Sequence, residues 1–214
     1  MTDAAILPTV LIVPGLRDHV DAHWQTLLAA DLEARGRKVR TVPPMGRADL
    51  DCATKVAAIE REAQAIDGPL IIVAHSGGCV MVAHWARQTT RAVHGALMAC
   101  PPDFEQEMPE GYPSLQALRE GGWLSVPRER LPFPNIVTAS QNDPLAKFER
   151  VADLAKDWGS RLYDLGAVGH LNPASGYGAW PLAEAFIAAL SRGTCDDSTS
   201  ADPALTACTQ PADI

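Results

Sequence analysis

The chain predicts an α/β fold: a mostly parallel, doubly wound sheet of about six strands with helices on both faces. Short apolar runs alternate along it with segments of helical period. Most of those runs are continuous rather than alternating, as strands covered on both faces require. One of them, Leu70-Ile-Ile-Val-Ala74, leads straight into a serine framed by small residues.

The predicted strands are Val10–Val13, Val39–Val42, Leu70–Ala74, Gly95–Ala99, Ile136–Ala139 and Arg161–Leu165. Between the first two, residues 22–35 carry Trp24, Leu27, Leu28 and Leu32 at helical spacing, and Gly36 stands as a C′ residue. Residues 51–66 predict a second helix. In residues 147–158, Phe148, Val151, Ala152, Ala155 and Trp158 fall on one helical face, and residues 181–191 form the last helix. The run Cys79-Val-Met-Val-Ala-His-Trp-Ala86 is apolar nearly all round and predicts a buried helix directly behind Ser76. Residues 101–134 hold seven prolines, three glycines and scattered aromatics, and break the alternation. They read as a loop-rich insertion over the strand ends, where a lid or substrate-binding excursion belongs. Residues 1–190 are expected to form one domain, and the Ser/Thr/Asp/Ala-rich residues 191–214 a disordered tail.

Composition narrows the function. The chain has 214 residues, 47% of them hydrophobic, enough for one substantial core. A net charge of −8 with no basic run argues against a nucleic-acid partner. The first residues lack a basic n-region and their apolar stretch is too short for a signal or a membrane span, so a cytoplasmic location is expected. Cys52, Cys79, Cys100, Cys195 and Cys208 form no C-x-x-C pair and offer no zinc spacing. Cys79 and Cys100 sit in apolar segments as small core residues. No dinucleotide or P-loop motif is present, so neither a metal nor a cofactor is expected.

The chemistry centres on Val73-Ala-His-Ser-Gly-Gly78, one residue away from the nucleophile elbow G-x-S-x-G, with Ala74 at the first glycine position. A serine at a sharp strand-to-helix turn is held in strained backbone, so its neighbours two positions away must be small. Its hydroxyl then stands at the carboxyl end of the sheet and the next N–H faces a developing oxyanion. Such a serine needs a base, and the base an orienting acid; on this scaffold the acid and then the histidine follow, on loops after later strands. Asp143 follows Ile136–Ala139 and His170 follows Arg161–Leu165, so Ser76, Asp143 and His170 match in order and position. The plainer readings are an Asx turn before Pro144 and a surface loop histidine. Asp103, one strand earlier, is the rival acid.

The oxyanion donors are expected to be the N–H groups of Leu16 and Gly77, with Gly15 permitting close backbone approach. Arg17, His19 and the 101–134 insertion are expected to line the pocket, and His75 beside the serine is placed with them or in support of the elbow. His23 either lines the pocket or begins its helix, His84 is a satisfied core histidine, and His94 lies in a connecting turn. Phe104, Tyr112 and Trp123 suggest an apolar acyl site, or equally satellite core packing.

Taken together, Ile12-Val-Pro-Gly15, His23-Trp-Gln25, Val73-Ala-His-Ser-Gly-Gly78, Ala139-Ser-Gln-Asn-Asp-Pro144 and Gly169-His-Leu-Asn-Pro-Ala-Ser-Gly-Tyr-Gly-Ala-Trp-Pro181 give the chain its likeness. It resembles the small single-domain α/β-hydrolases of the retinoblastoma-binding protein 9 and YdeN type. The resemblance implies an α/β-hydrolase fold and a serine hydrolase without metal or organic cofactor, using Ser76, Asp143 and His170. Two departures stand out. Ala74 replaces the usual glycine, and the L-x-C-x-E segment of the retinoblastoma-binding member has no counterpart, since Leu50-Asp-Cys-Ala-Thr54 lacks the glutamate. That protein partner is therefore not expected. The combined reading is a carboxylesterase-like serine hydrolase for a small-molecule ester, working through an acyl-enzyme. The alternatives are a non-catalytic binding protein on the same scaffold, or an acyltransferase.

Overall fold

The computed structural model describes residues 7–17, 20–46 and 48–193. Its centre is a six-stranded, all-parallel sheet in the order β2-β1-β3-β4-β5-β6, formed by β1 (Thr9–Val13), β2 (Val39–Thr41), β3 (Leu70–His75), β4 (Gly95–Ala99), β5 (Asn135–Ala139) and β6 (Arg161–Asp164). The central strands β1, β3, β4 and β5 are buried along their whole length, which is why they read as unbroken apolar runs. The edge strands β2 and β6 are only partly covered. Strand and helix bounds fall within two residues of those expected, as frayed ends dictate.

Helices cover both faces. On one, α2 (Cys52–Gln64), α3 (Gly77–Ala86) and α5 (Phe148–Trp158) pack on the side chains of Leu11, Ile72, Met98 and Val137. On the other, α1 (Trp24–Ala34) and α6 (Leu182–Ser191) pack on Val10, Ile71, Leu97 and Ile136. The strand order reverses direction between β1 and β3, and right-handed crossovers then send α1 to one face and α2, α3 and α5 to the other. The switch point lies at the carboxyl ends of β1 and β3, where an open sheet of this kind leaves a crevice.

Local signals set the helix ends. The Asp51 carboxylate accepts the Thr54 N–H at 2.6 Å and starts α2. Gly36, at φ 77°, ends α1 in the left-handed conformation expected of a C′ glycine. The buried face of α5 is Val151, Leu154, Ala155 and Trp158, with Phe148 packed partly against the core.

The insertion is more ordered than a loop-rich reading implies. It contains a short helix, α4 (Leu115–Glu120), begun by Ser114, whose hydroxyl accepts the Ala117 N–H at 3.2 Å. It is anchored through two indoles: Trp123 Nε1 donates to Leu50 O at 2.7 Å and Trp158 Nε1 to Pro127 O at 2.8 Å. The many prolines hid α4, because a six-residue helix has too few turns to show a period. Helix α6 runs to Ser191, and most of the expected tail, residues 194–214, lies outside the described residues. Among the described residues no helix is long and apolar enough to cross a membrane.

The insertion is docked at Gly121, whose added Cβ would sit 2.2 Å from the Leu50 carbonyl oxygen, while Cys52 N–H donates to Gly121 O at 2.9 Å. Gly121→Ala is expected to lower unfolding free energy by about 1–3 kcal/mol, the usual cost of overpacking. Gly178→Ala, whose Cβ would meet nothing nearer than Leu27 Cδ1 at 3.9 Å, is expected to be close to neutral. Urea titration of the two variants checks this, and equal stabilities would contradict it.

Candidate active site

Ser76 closes β3 and opens α3 at φ 55° and ψ −133°, a conformation unusual for a side chain other than glycine. The turn is forced by its neighbours. Ser76 N–H donates to Ala99 O at 2.9 Å, which keeps β3 in register with β4, and Ser76 O at once accepts Cys79 N–H at 2.9 Å to begin α3. Gly78 takes the position where a side chain is impossible: its Cβ would lie 2.6 Å from both Val13 O and Pro14 O. Ala74 is different. It is fully buried, pairs in register with Val13 and Met98, and its methyl packs in the core. The glycine of the usual pattern is dispensable here because the tight approach falls on the other side of the serine.

The three residues expected from chain order meet. His170 Nδ1 lies 2.7 Å from Asp143 Oδ2, and His170 Nε2 lies 2.7 Å from Ser76 Oγ. A carboxylate only accepts, so Nδ1 carries the proton and Nε2 is left to receive the serine hydroxyl. The side chains of His170 and Asp143 are 4% and 3% exposed. The second carboxylate oxygen of Asp143 accepts Leu145 N–H at 2.8 Å, the turn beyond Pro144. Asp103, the rival acid, is engaged elsewhere: Arg150 Nε donates to its Oδ2 at 2.8 Å.

Other groups fix the loops that carry this chain of hydrogen bonds. Asn142 Oδ1 accepts from Ser140 Oγ at 2.9 Å and from Gly169 N–H at 2.6 Å, tying the Asp143 loop to the His170 loop. Ser175 Oγ accepts His170 N–H at 3.0 Å, and Asn172 Oδ1 accepts Ser175 N–H at 3.0 Å. In the sequence Ser140, Asn142, Asn172 and Ser175 stand out only as parts of the Ala139–Pro144 and Gly169–Pro181 motifs. The contacts within each pair are local, but local spacing gave no sign that Ser140 and Asn142 would reach the 168–169 backbone of the other loop.

His75 lines the back of the site but is 4% exposed and already engaged: its Nε2–H donates to His170 O at 2.9 Å. Its ring lies between those of His23 and His170, at centroid distances of 4.8 Å and 5.0 Å. Burial first, then the neighbouring His170 and His23 rings, hold its pKa well below the usual histidine value. Its Nε2–H is thus committed to the His170 carbonyl, while its ring remains part of the cavity lining. His23 begins α1, its Nδ1 accepting Gln25 N–H at 3.2 Å. Gln25 Nε2 donates to Val13 O and Val73 O, both at 3.1 Å, and so joins the ends of β1 and β3 beneath the site. His84 Nε2–H donates to Trp123 O at 3.2 Å, away from the cavity.

Leu16, Gly77 and Gly15 sit together as expected. A Cβ on Gly77 would be 3.3 Å from Leu16 N, and one on Gly15 would be 3.1 Å from Ser76 Cβ. Among the described residues neither the Leu16 nor the Gly77 N–H is taken up by another backbone carbonyl. Ser76 opens into a cavity of about 250 Å³ bounded by the loop after β1, the insertion and the 3-10 turn Pro173–Ser175. Its apolar walls include Leu16, Phe104, Met108, Pro113 and Leu145, with Arg17 and Tyr112 also lining it. The aromatics of the insertion divide. Phe104 and Tyr112 line the cavity, whereas Trp123 is fully buried core edge-on to Phe104. His19 lies outside the described residues. Among those residues no group of three or more His, Cys, Asp or Glu is placed to hold a metal ion. Cys79 and Cys100 are buried core thiols whose pKa values burial pushes up.

The arrangement can move a proton from Ser76 to His170 while a carbonyl oxygen rests against two free N–H groups. Two outcomes test the architecture. Gly78→Ala should displace the β1 loop and lower stability by about 1–3 kcal/mol, while Ala74→Gly should cost only about 0.5–1 kcal/mol, read by chemical denaturation. For His75 the unfolded chain binds a proton more readily than the folded one, so stability should fall as pH drops below about 6.5. His75→Gln should flatten that slope by at most about 1.4 kcal/mol per pH unit, and an unchanged slope would contradict the buried neutral imidazole.

The model of the serine hydrolase family matches residues 10–189. Among solved structures, a YdeN-like hydrolase from Pectobacterium atrosepticum superposes with a TM-score of 0.72 at 27% identity, over 87% of this chain and 91% of that one. The ydeN gene product of Bacillus subtilis gives 0.72 at 21% identity, over 86% and 98%. An esterase domain from Rhodothermus marinus gives 0.64 at 17% identity, over 88% and 89%, a likeness of fold. No curated protein matches the sequence. The sheet is that of the α/β-hydrolases, and the chain belongs to the serine hydrolase family.

Proposed function

We propose that the protein hydrolyses small carboxylic esters, with Ser76 as nucleophile, His170 as general base and acid, and Asp143 orienting His170. The observation that carries this reading is the unbroken chain from Asp143 Oδ2 through His170 to Ser76 Oγ, with both links at 2.7 Å, on the wall of an apolar cavity. His170 Nε2 takes the Ser76 proton as Oγ attacks the ester carbonyl. The resulting oxyanion is held by the Leu16 and Gly77 N–H groups. Collapse breaks the bond to the alcohol oxygen, which leaves with the proton from His170. A water, deprotonated by His170, then attacks the acyl-serine; the acyl–Oγ bond breaks and His170 gives that proton to Ser76 Oγ, so ester plus water gives acid plus alcohol.

Size points to a short acyl group. About 250 Å³ is below the roughly 300–1,000 Å³ of sites for drug-sized ligands. A fluorophosphonate probe is expected to label the intact protein and to leave Ser76→Ala unlabelled. Absence of labelling, or labelling that survives the substitution, overturns the catalytic assignment in favour of a binding protein on this scaffold. Asp143→Asn is expected to lower kcat by up to about 10⁴-fold by releasing the His170 tautomer. In a p-nitrophenyl ester series from acetate to octanoate, kcat/KM should peak at the short end. A peak at octanoate rejects the small acyl group, and acid replaced by a new ester when an alcohol is added identifies acyl transfer instead of hydrolysis.

A further inference from the structure

Among the described residues lining the cavity, Arg17 is the one with a fixed formal charge; no Asp, Glu or Lys joins it. This is unexpected in a chain of net charge −8, whose overall field repels anions. Arg17 is exposed, and its guanidinium lies 4.9 Å over the Tyr112 ring, so the β1 loop and the insertion meet across the cavity through this pair. A cation–π contact over the partly buried Tyr112 ring leaves the planar edge of the exposed guanidinium, with its donors, open to a second partner. The rest of the wall offers apolar surface from Leu16, Phe104, Met108, Pro113 and Leu145. Neutral polar groups also line the cavity at His23, His75, Tyr112 and Asn172, but among the described lining residues Arg17 alone offers a carboxylate a charged bidentate donor, beside that apolar surface.

We propose that Arg17 selects esters that carry a second, anionic group, a carboxylate borne either on the acyl chain or on the alcohol. This rests on the hydrolase reading above and names its substrate class. The cation–π contact with Tyr112 holds the guanidinium at the cavity before substrate arrives, so less side-chain freedom is lost on binding. An uncharged ester of the same length would occupy the apolar wall and leave Arg17 on Tyr112.

Two matched pairs locate the charge: mono-4-nitrophenyl glutarate against 4-nitrophenyl butyrate for the acyl side, and 4-carboxyphenyl butyrate against phenyl butyrate for the alcohol side. The intact protein should favour the anionic member of one pair in kcat/KM. Arg17→Ala should lower that preference by about tenfold or more, the scale of a charged hydrogen bond. Arg17→Lys should keep part of it and Arg17→Glu should reverse it, and added salt should weaken it. Because the neutral ester is read in every variant, damage to the neighbouring Leu16 N–H shows as an equal loss on both members. Unchanged preference in Arg17→Ala for both pairs overturns the proposal. Should no ester turn over, the hydrolase reading fails by itself. Calorimetric binding of glutarate to Ser76→Ala protein, with and without Arg17→Ala, then decides Arg17 independently: equal affinities overturn its role and a tenfold loss supports it.

Discussion

The closeness of the β1 loop to the start of α3 governs everything else in the site. At Gly78 the backbone of Val13 and Pro14 comes so near that a Cβ would sit 2.6 Å from two carbonyl oxygens. That approach exists because β1 and β3 are parallel neighbours at the point where strand order reverses. It brings the Leu16 N–H beside Gly77, and it sets the Ser76 hydroxyl at the mouth of the crevice the reversal opens. The strain at Ser76 persists because hydrogen bonds to Ala99 and Cys79 fix the residue from both sides.

A second set of constraints aims the histidine. His170 stands on a loop after an edge strand, a place where a side chain is ordinarily free to move. Here its N–H is held by Ser175, its carbonyl by the buried neutral His75, and its loop by Asn142 from the neighbouring connection. His75 and Gln25 extend this order inward, joining the elbow to His170 and to the ends of β1 and β3. Most of the polar groups around Ser76 therefore serve geometry. This leaves a cavity with large apolar walls, in which Arg17 is the one lining residue of fixed charge among those described, beside the neutral polar side chains of His23, His75, Tyr112 and Asn172.

Much of this was legible in the sequence. Buried parallel strands must be apolar on both faces, so their runs stood out, and α3, packed against the sheet, was apolar nearly all round. The order of Ser76, Asp143 and His170 could be read because each follows a strand, and strand ends in a doubly wound sheet gather at one edge. The insertion was less transparent. Its aromatics look alike in sequence, yet Trp123 is core and Phe104 and Tyr112 are wall, a division made by which face of the insertion rests on α2 and α3. Asp103 and Asp143 were both eligible as acid, and only the proximity of Arg150 to the first settles where Asp103 points.

The sequence by itself determined the fold class, the strand-by-strand alternation and the family, because burial and turn chemistry leave periodic, local traces. The tertiary structure decided what depends on distance across the chain. It decided that Ala74 is harmless because Gly78 carries the close approach. It bound His75, a residue of the cavity lining, to the His170 carbonyl, and it set Arg17 over Tyr112. These are pairings between segments up to 95 residues apart, and nothing in local spacing encodes them, since each forms only when the sheet brings its strand ends together.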